Sequence, residues 1–103
     1  DFYAKVVGWV PQGLSMGDYD DYTMSAPESN KVAAGICHAK GSNAKLPPQW
    51  MIYITVEDVD TSAESCIQLG GKIIVEPKNM PGYGRYCVIQ DPAGAVCALF
   101  KPE

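Results

Sequence analysis

Two stretches of this chain obey one grammar: a helix that ends at a glycine, a strand, and a hairpin. The first passes Gly8 and finishes at Cys37; the second passes Gly71 and finishes at Phe100. An offset of about 63 residues superposes them, which marks an internal duplication and not a solenoid of many short repeats. Two copies facing each other constrain the fold more tightly than composition does, because each copy must layer its apolar faces over a shared core.

The second copy is the clearer. From Trp50 to Val56 the residues alternate, with Ile52, Ile54 and Val56 on one face and Met51, Tyr53 and Thr55 on the other, which predicts a strand with one purely apolar face. Asp58 then caps a helix in which Val59, Ala63, Cys66 and Ile67 form one stripe, and Gly70-Gly71 closes it. Packing of this strand against this helix accounts for the apolar face. Ile73-Ile74-Val75, Arg85 to Gln90 and Ala95 to Phe100 follow as strands, separated by the loop Met80 to Gly84 and the turn Asp91-Pro92-Ala93-Gly94. The order is β-α-β-β-β.

The first copy opens within a helix: Phe2, Val6 and Trp9 recur near a helical turn, with no N-cap before them and Gly8 as the stop. Apolar segments at Tyr22 to Ala26 and Val32 to His38, separated by Pro27-Glu28-Ser29-Asn30, predict a hairpin preceded by one more strand. No counterpart of the Trp50 to Val56 strand leads this copy. The expected organisation is one domain over residues 1–103: an incomplete first module at 1–39, a connector at 40–48 that contains Pro47-Pro48, and a complete second module at 49–103.

At 103 residues and 47% hydrophobic composition, the chain has apolar material for one core. A net charge of −4 with scattered Lys and Arg argues against nucleic-acid or anionic-membrane partners, which need a basic stripe. No apolar run approaches the roughly 20 residues that cross a bilayer, and no signal peptide opens the chain, so a soluble, cytoplasmic protein is expected. Cys37, Cys66, Cys87 and Cys97 form no Cys-x-x-Cys pair and fit reduced thiols. Only Cys37, beside the single histidine His38, has a neighbour that could activate it.

Phe2-Tyr3-Ala4-Lys5-Val6-Val7-Gly8-Trp9, Tyr53-Ile54-Thr55-Val56-Glu57-Asp58-Val59-Asp60, Leu69-Gly70-Gly71-Lys72 and Asp91-Pro92-Ala93-Gly94-Ala95 together resemble the vicinal-oxygen-chelate superfamily of glyoxalases, bleomycin-resistance proteins and extradiol dioxygenases. The nearest branch is that of bacterial proteins described as related to lactoylglutathione lyase. The resemblance implies an α+β fold of paired βαβββ modules curling around a central cavity, here with the first module lacking its leading strand. It also implies a divalent ion held by His or Gln on each first strand and by Glu on each last strand. Carried onto this sequence, those positions fall on Met51, on Ala98 and near Gly35, while the fourth would precede Asp1. A thioether and two side chains without a donor cannot hold such an ion, so no metal and no cofactor are expected. A displaced site from His38 with Asp20 or Asp21 is the alternative.

Small residues at Gly35 and Ala98 leave room for a small organic ligand. Pleat geometry turns Met51 and Tyr53 toward the cavity, with Trp50 near its mouth. Cys37 and one parity of the Arg85 to Gln90 strand complete the expected lining: Cys87 opposite Ala98 and Arg85 opposite Phe100, or Tyr86 and Val88 if the turn differs by one residue. Arg85 could grip an anion or be locally paired. Gly82-x-Gly84 lacks the following helix of a phosphate loop and reads as a connector. The Tyr19 to Tyr22 cluster with Asp18, Asp20 and Asp21 could attract a cationic aromatic compound or be a solvated turn.

Three functions remain open. The chain is a metal-independent binding module for a small apolar or aromatic compound, or an enzyme using Tyr53, Tyr86 or His38 as acid or base, or a degenerate domain acting through association. A strand slot in the incomplete module leads to the expectation of a homodimer.

Overall fold

The structure, a computed structural model, describes residues 1–29, 31–40 and 48–103. The expected connector falls mostly on residues 41–47, and the tip of the first hairpin on Asn30; both lie outside the described residues. The chain divides into two compact units, residues 1–47 and 48–103.

In the first unit, α1 spans Phe2–Val7 and ends where Gly8 adopts φ 77°, its N–H donating to the Ala4 carbonyl. A positive φ is cheap only for a residue without Cβ, which is why a glycine stops the helix here. Asp1 makes no side-chain cap bond, and α1 buries none of its residues. β1 (Val10–Ser15), β2 (Asp20–Ser25) and β3 (Val32–Ile36) form an antiparallel sheet in that order. The expected hairpin is β2–β3, with Tyr22 opposite Ile36 and an irregularity at Met24/Ser25, and the expected extra strand is β1.

In the second unit, β4 (Tyr53–Thr55) leads into α2 (Val59–Gln68), followed by β5 (Lys72–Met80), β6 (Gly84–Gln90) and β7 (Val96–Pro102). Asp58 caps α2 by accepting from the Thr61 N–H at 3.1 Å. The sheet order is β4-β7-β6-β5, with β4 parallel to β7 and the other pairs antiparallel. α2 lies over β5, β6 and β7. Its Val59 and Ala63 close with Cys87 and Leu99 into a core, flanked by Val56, Ile73 and Ile89. Burying an aliphatic side chain of this kind contributes roughly 1.5–3 kcal/mol.

The stripe and the strand face are less fully used than their spacing predicts. Ile67 is 60% exposed, and Ile52 and Ile54 are 71% and 46% exposed. The cause is position: β4 is the sheet edge beyond the strands that α2 covers, so only Val56, past the end of β4, joins the core. The two glycines after α2 have separate duties. Gly70 takes the left-handed conformation at φ 94°, whereas a Cβ on Gly71 would collide with the Cys66 Sγ and stand 2.9 Å from the Gln90 carbonyl. β5 runs past the expected Ile73-Ile74-Val75 to Met80, with irregularities at Ile73/Val75 and Val75/Lys78 that accommodate Pro77, which has no N–H for the ladder. Among the described residues the chain is α+β, with seven strands in two sheets and two helices.

Candidate functional site

Residues opposite each other in a sheet share a face. Along β4, β7 and β6, the pairs Tyr53↔Ala98, Thr55↔Phe100, Tyr86↔Phe100 and Val88↔Ala98 place Tyr53, Thr55, Ala98, Phe100, Tyr86 and Val88 on the side away from α2. The Tyr53 and Phe100 rings meet edge to face at 6.1 Å. Tyr86, Val88 and Ala98 are buried, whereas Tyr53 is half exposed. Trp50 and Met51 precede β4, Trp50 exposed and Met51 partly buried.

The expected pairing of Cys87 with Ala98 and Arg85 with Phe100 is shifted by one. Cys87 faces Leu99 and Arg85 faces Lys101. The turn is the reason: the Gly94 N–H donates to the Asp91 carbonyl, Gly94 takes φ 98°, and the Asp91 N–H donates to the Ala95 carbonyl, which closes a three-residue loop. Tyr86 and Val88, the other parity, therefore stand beside Ala98 and Phe100. Cys87 belongs to the helix-facing core, where burial raises its thiol pKa. Arg85 is paired: its Nε and one terminal nitrogen grip the two Asp60 oxygens at 2.8 Å each, and the other reaches Asn79 at 3.1 Å. That hydrogen bonding holds the Asp60 carboxyl below its usual range. A shallow depression of about 410 Å³ beside Arg85, lined also by Pro81, Lys101 and Glu103, thus borders a guanidinium already neutralised.

Gly35 and Cys37 sit in the first unit, Gly35 opposite Thr23 and Cys37 just beyond β3. There the chain gathers a second cluster. Asp21 is 4% exposed, and its Oδ1 accepts from the His38 backbone N–H at 2.9 Å and lies 3.5 Å from the His38 Nδ1. Local desolvation, together with the Asp21 charge and hydrogen bond, pushes the Cys37 thiol up to about 11, which keeps it protonated at neutral pH. The Tyr19 ring meets the His38 ring at 5.5 Å, and the Lys40 ammonium lies 4.8 Å over the same Tyr19 ring. The acidic-aromatic cluster is therefore packed against the His38 ring and the Lys40 ammonium of its own chain. Lys40 carries no motif that would have singled it out.

The positions that the resemblance assigns to a metal fall on Met51, on Ala98 and near Gly35, a thioether and two residues without a side-chain donor. Among the described residues no three His, Cys, Asp or Glu side chains converge on a point that could hold an ion. These residues do not fit the family's divalent centre. No helix among the described residues is long and apolar enough to cross a membrane.

The chain is 30% identical over 101 residues to CFP32 of Mycobacterium bovis, named as a candidate glyoxylase, covering 98% of this chain and 38% of that protein. It is 29% identical over 112 residues to the anthracycline biosynthesis protein DnrV of Streptomyces peucetius, covering 98% of this chain and 41% of that one. The chain thus spans about two fifths of the length of these curated relatives. Among solved structures, TnmS3, an antibiotic binding protein from a Streptomyces, aligns with a TM-score of 0.45 at 23% identity, over 100% of this chain and 83% of that one. Residues 1–99 match the Glyoxalase/Bleomycin resistance protein/Dioxygenase superfamily, and the chain belongs to it.

Proposed function

We propose that this chain is a binding module for a small, largely apolar aromatic compound, held without a metal against the sheet face of β4, β7 and β6. The observation that carries the reading is the composition of that face: Tyr53, Tyr86 and Phe100 share it with Val88 and the small Ala98. A mainly apolar surface with a few hydroxyls at its margin suits binding and orientation of a ring system more than bond cleavage. The kinship with a protein named for anthracycline biosynthesis supports the same ligand class. The side chains at Met51, Ala98 and Gly35 support a site that works without a divalent ion.

The proposal extends to a homodimer. β4 ends its sheet, and Ile52 and Ile54 beside that edge are exposed, a combination that a second chain would cover.

Native mass spectrometry of protein purified without added metal, then mixed with a hydroxyanthraquinone, tests all three parts. A metal-free dimer that takes up the anthraquinone, and loses it in Ala98→Trp, is the expected result. A stoichiometric divalent ion, or uptake indifferent to Ala98→Trp, would sink the reading of the face.

A further inference from the structure

The cluster at the end of β3 carries chemistry of its own, independent of what the β4-β7-β6 face binds. A buried carboxylate such as Asp21 is tolerated when hydrogen bonds and a nearby positive charge compensate it. The His38 backbone N–H supplies the first, at 2.9 Å, and the His38 ring, with Nδ1 at 3.5 Å, supplies the second only once it has taken a proton. The His38 side chain is half exposed, so with Nδ1 turned to the carboxylate, Nε2 is the nitrogen on the far side of the ring. The partner of one imidazole nitrogen selects the tautomer, and a carboxylate at Nδ1 favours Nδ1–H with the lone pair on Nε2. Cys37 does not compete as a base, because its thiol stays protonated up to about pH 11. Beside the ring stands Tyr19 at 5.5 Å, and the Lys40 ammonium lies over the Tyr19 face at 4.8 Å.

We propose that Asp21 and His38 form a proton-accepting dyad for an acidic aromatic hydroxyl, a phenol. The Nε2 lone pair takes the hydroxyl proton, and the electron pair of the broken O–H bond stays on oxygen as phenolate. The imidazolium formed keeps its new charge against Asp21, which acts as a positioning residue, and the Lys40 ammonium faces the phenolate. The phenol ring packs beside Tyr19.

The test uses p-nitrophenol, whose phenolate is yellow, added to the full chain slightly below the probe's own ionisation midpoint. Wild-type protein is expected to raise the phenolate absorbance at least about twofold at saturation, and His38→Gln, at a half-exposed position, to abolish the rise while leaving far-UV circular dichroism unchanged. Lys40→Met is expected to weaken the apparent affinity about tenfold, the loss of one charge partner. The chain has a single histidine, so nitrogen NMR reads its tautomer without ambiguity. Asp21→Asn, which keeps an acceptor for the His38 N–H, is expected to move the ring from Nδ1–H toward Nε2–H and to cut the phenolate rise. A purely structural Asp21 would leave the tautomer where it was, and that result overturns the dyad. A phenolate rise that survives His38→Gln also overturns it, placing the phenol elsewhere in the chain without touching the proposal for the sheet face. No rise in the wild type overturns it outright; should Asp21→Asn not fold, the His38→Gln and Lys40→Met pair decides.

Discussion

The described residues of the two units run through helix, strand and hairpin in the same order and with matching antiparallel partners, yet among them only those of the second unit build a helix-on-sheet core. α2 has ten residues, a side-chain cap at Asp58, and Val59 and Ala63 one turn apart on its inner face. α1 has six residues, no side-chain cap bond and no buried position. A repeat therefore copies connectivity, while the core depends on whether the helix is long enough and well enough capped to present a stripe. What the first unit gathers instead is a polar cluster at one end of its sheet, Asp21 on β2 with His38, Tyr19 and Lys40.

The contrast can be broken most forcefully in the core. Leu99→Ala should lower the unfolding free energy by about 3 kcal/mol, the usual result of emptying a packed aliphatic site, whereas Val6→Ala in α1 should stay within about 0.5 kcal/mol. Urea unfolding followed by circular dichroism reads both, and equal losses would mean that the first unit has a hidden core of its own. The glycines come next. Gly71→Ala forces a Cβ into Cys66 and should cost about 2 kcal/mol by overpacking, while Gly8→Ala meets open space and should cost about 1 kcal/mol for its positive φ alone. Thermal shifts of comparable size would show that the two positions do one job and not two. At the helix starts, Asp58→Ala should remove about 1 kcal/mol, and Asp1→Ala should leave the melting temperature unmoved.

The smallest effects depend on pH and have opposite signs in the two units. The Cys37 thiol is raised from its usual value near 9 to about 11, so its contribution to stability is complete below pH 9 and fades as pH climbs toward 11. Replacing it in Cys37→Ala should flatten the alkaline limb of a stability-against-pH curve. Asp60 is lowered, chiefly by the Arg85 hydrogen bonds, so its contribution is present above the unfolded carboxyl value near about 4 and disappears as pH falls through the folded one. Asp60→Asn should accordingly flatten the acid limb, and a variant that keeps both limbs intact would show these contacts to be energetically idle.

Local rules were enough to read α2 from Asp58 to Gly70, the glycine stop at Gly8, and the strands of both hairpins, because caps, periodicity and turn residues act within a few positions of themselves. Tyr53, Ala98 and Phe100 could be grouped on one face for the same reason. Cys87 and Arg85 could not be placed, since a left-handed Gly94 shortens the loop by one residue and turns every side chain of β6 to its opposite face. The exposure of Ile52 and Ile54 depends on which strand ends the sheet, a matter of topology that alternation does not report. Asp21 and His38 are 17 residues apart, and Lys40 meets Tyr19 across a similar span, so the cluster existed only as scattered polar residues until the chain was folded.

The parallel pairing of β4 with β7 also has a consequence in time. Tyr53 and its partner Ala98 are separated by about 45 residues of chain, whereas β5, β6 and β7 pair with sequence neighbours across short turns. Loop-closure entropy favours the meander first, with β4 zipping onto its edge last. During synthesis β4 emerges early yet has no parallel partner until β7 leaves the ribosome, so for that interval Ile52 and Ile54 travel unpaired. The edge of this sheet is thus the segment where a chaperone would bind and where a stalled chain would aggregate.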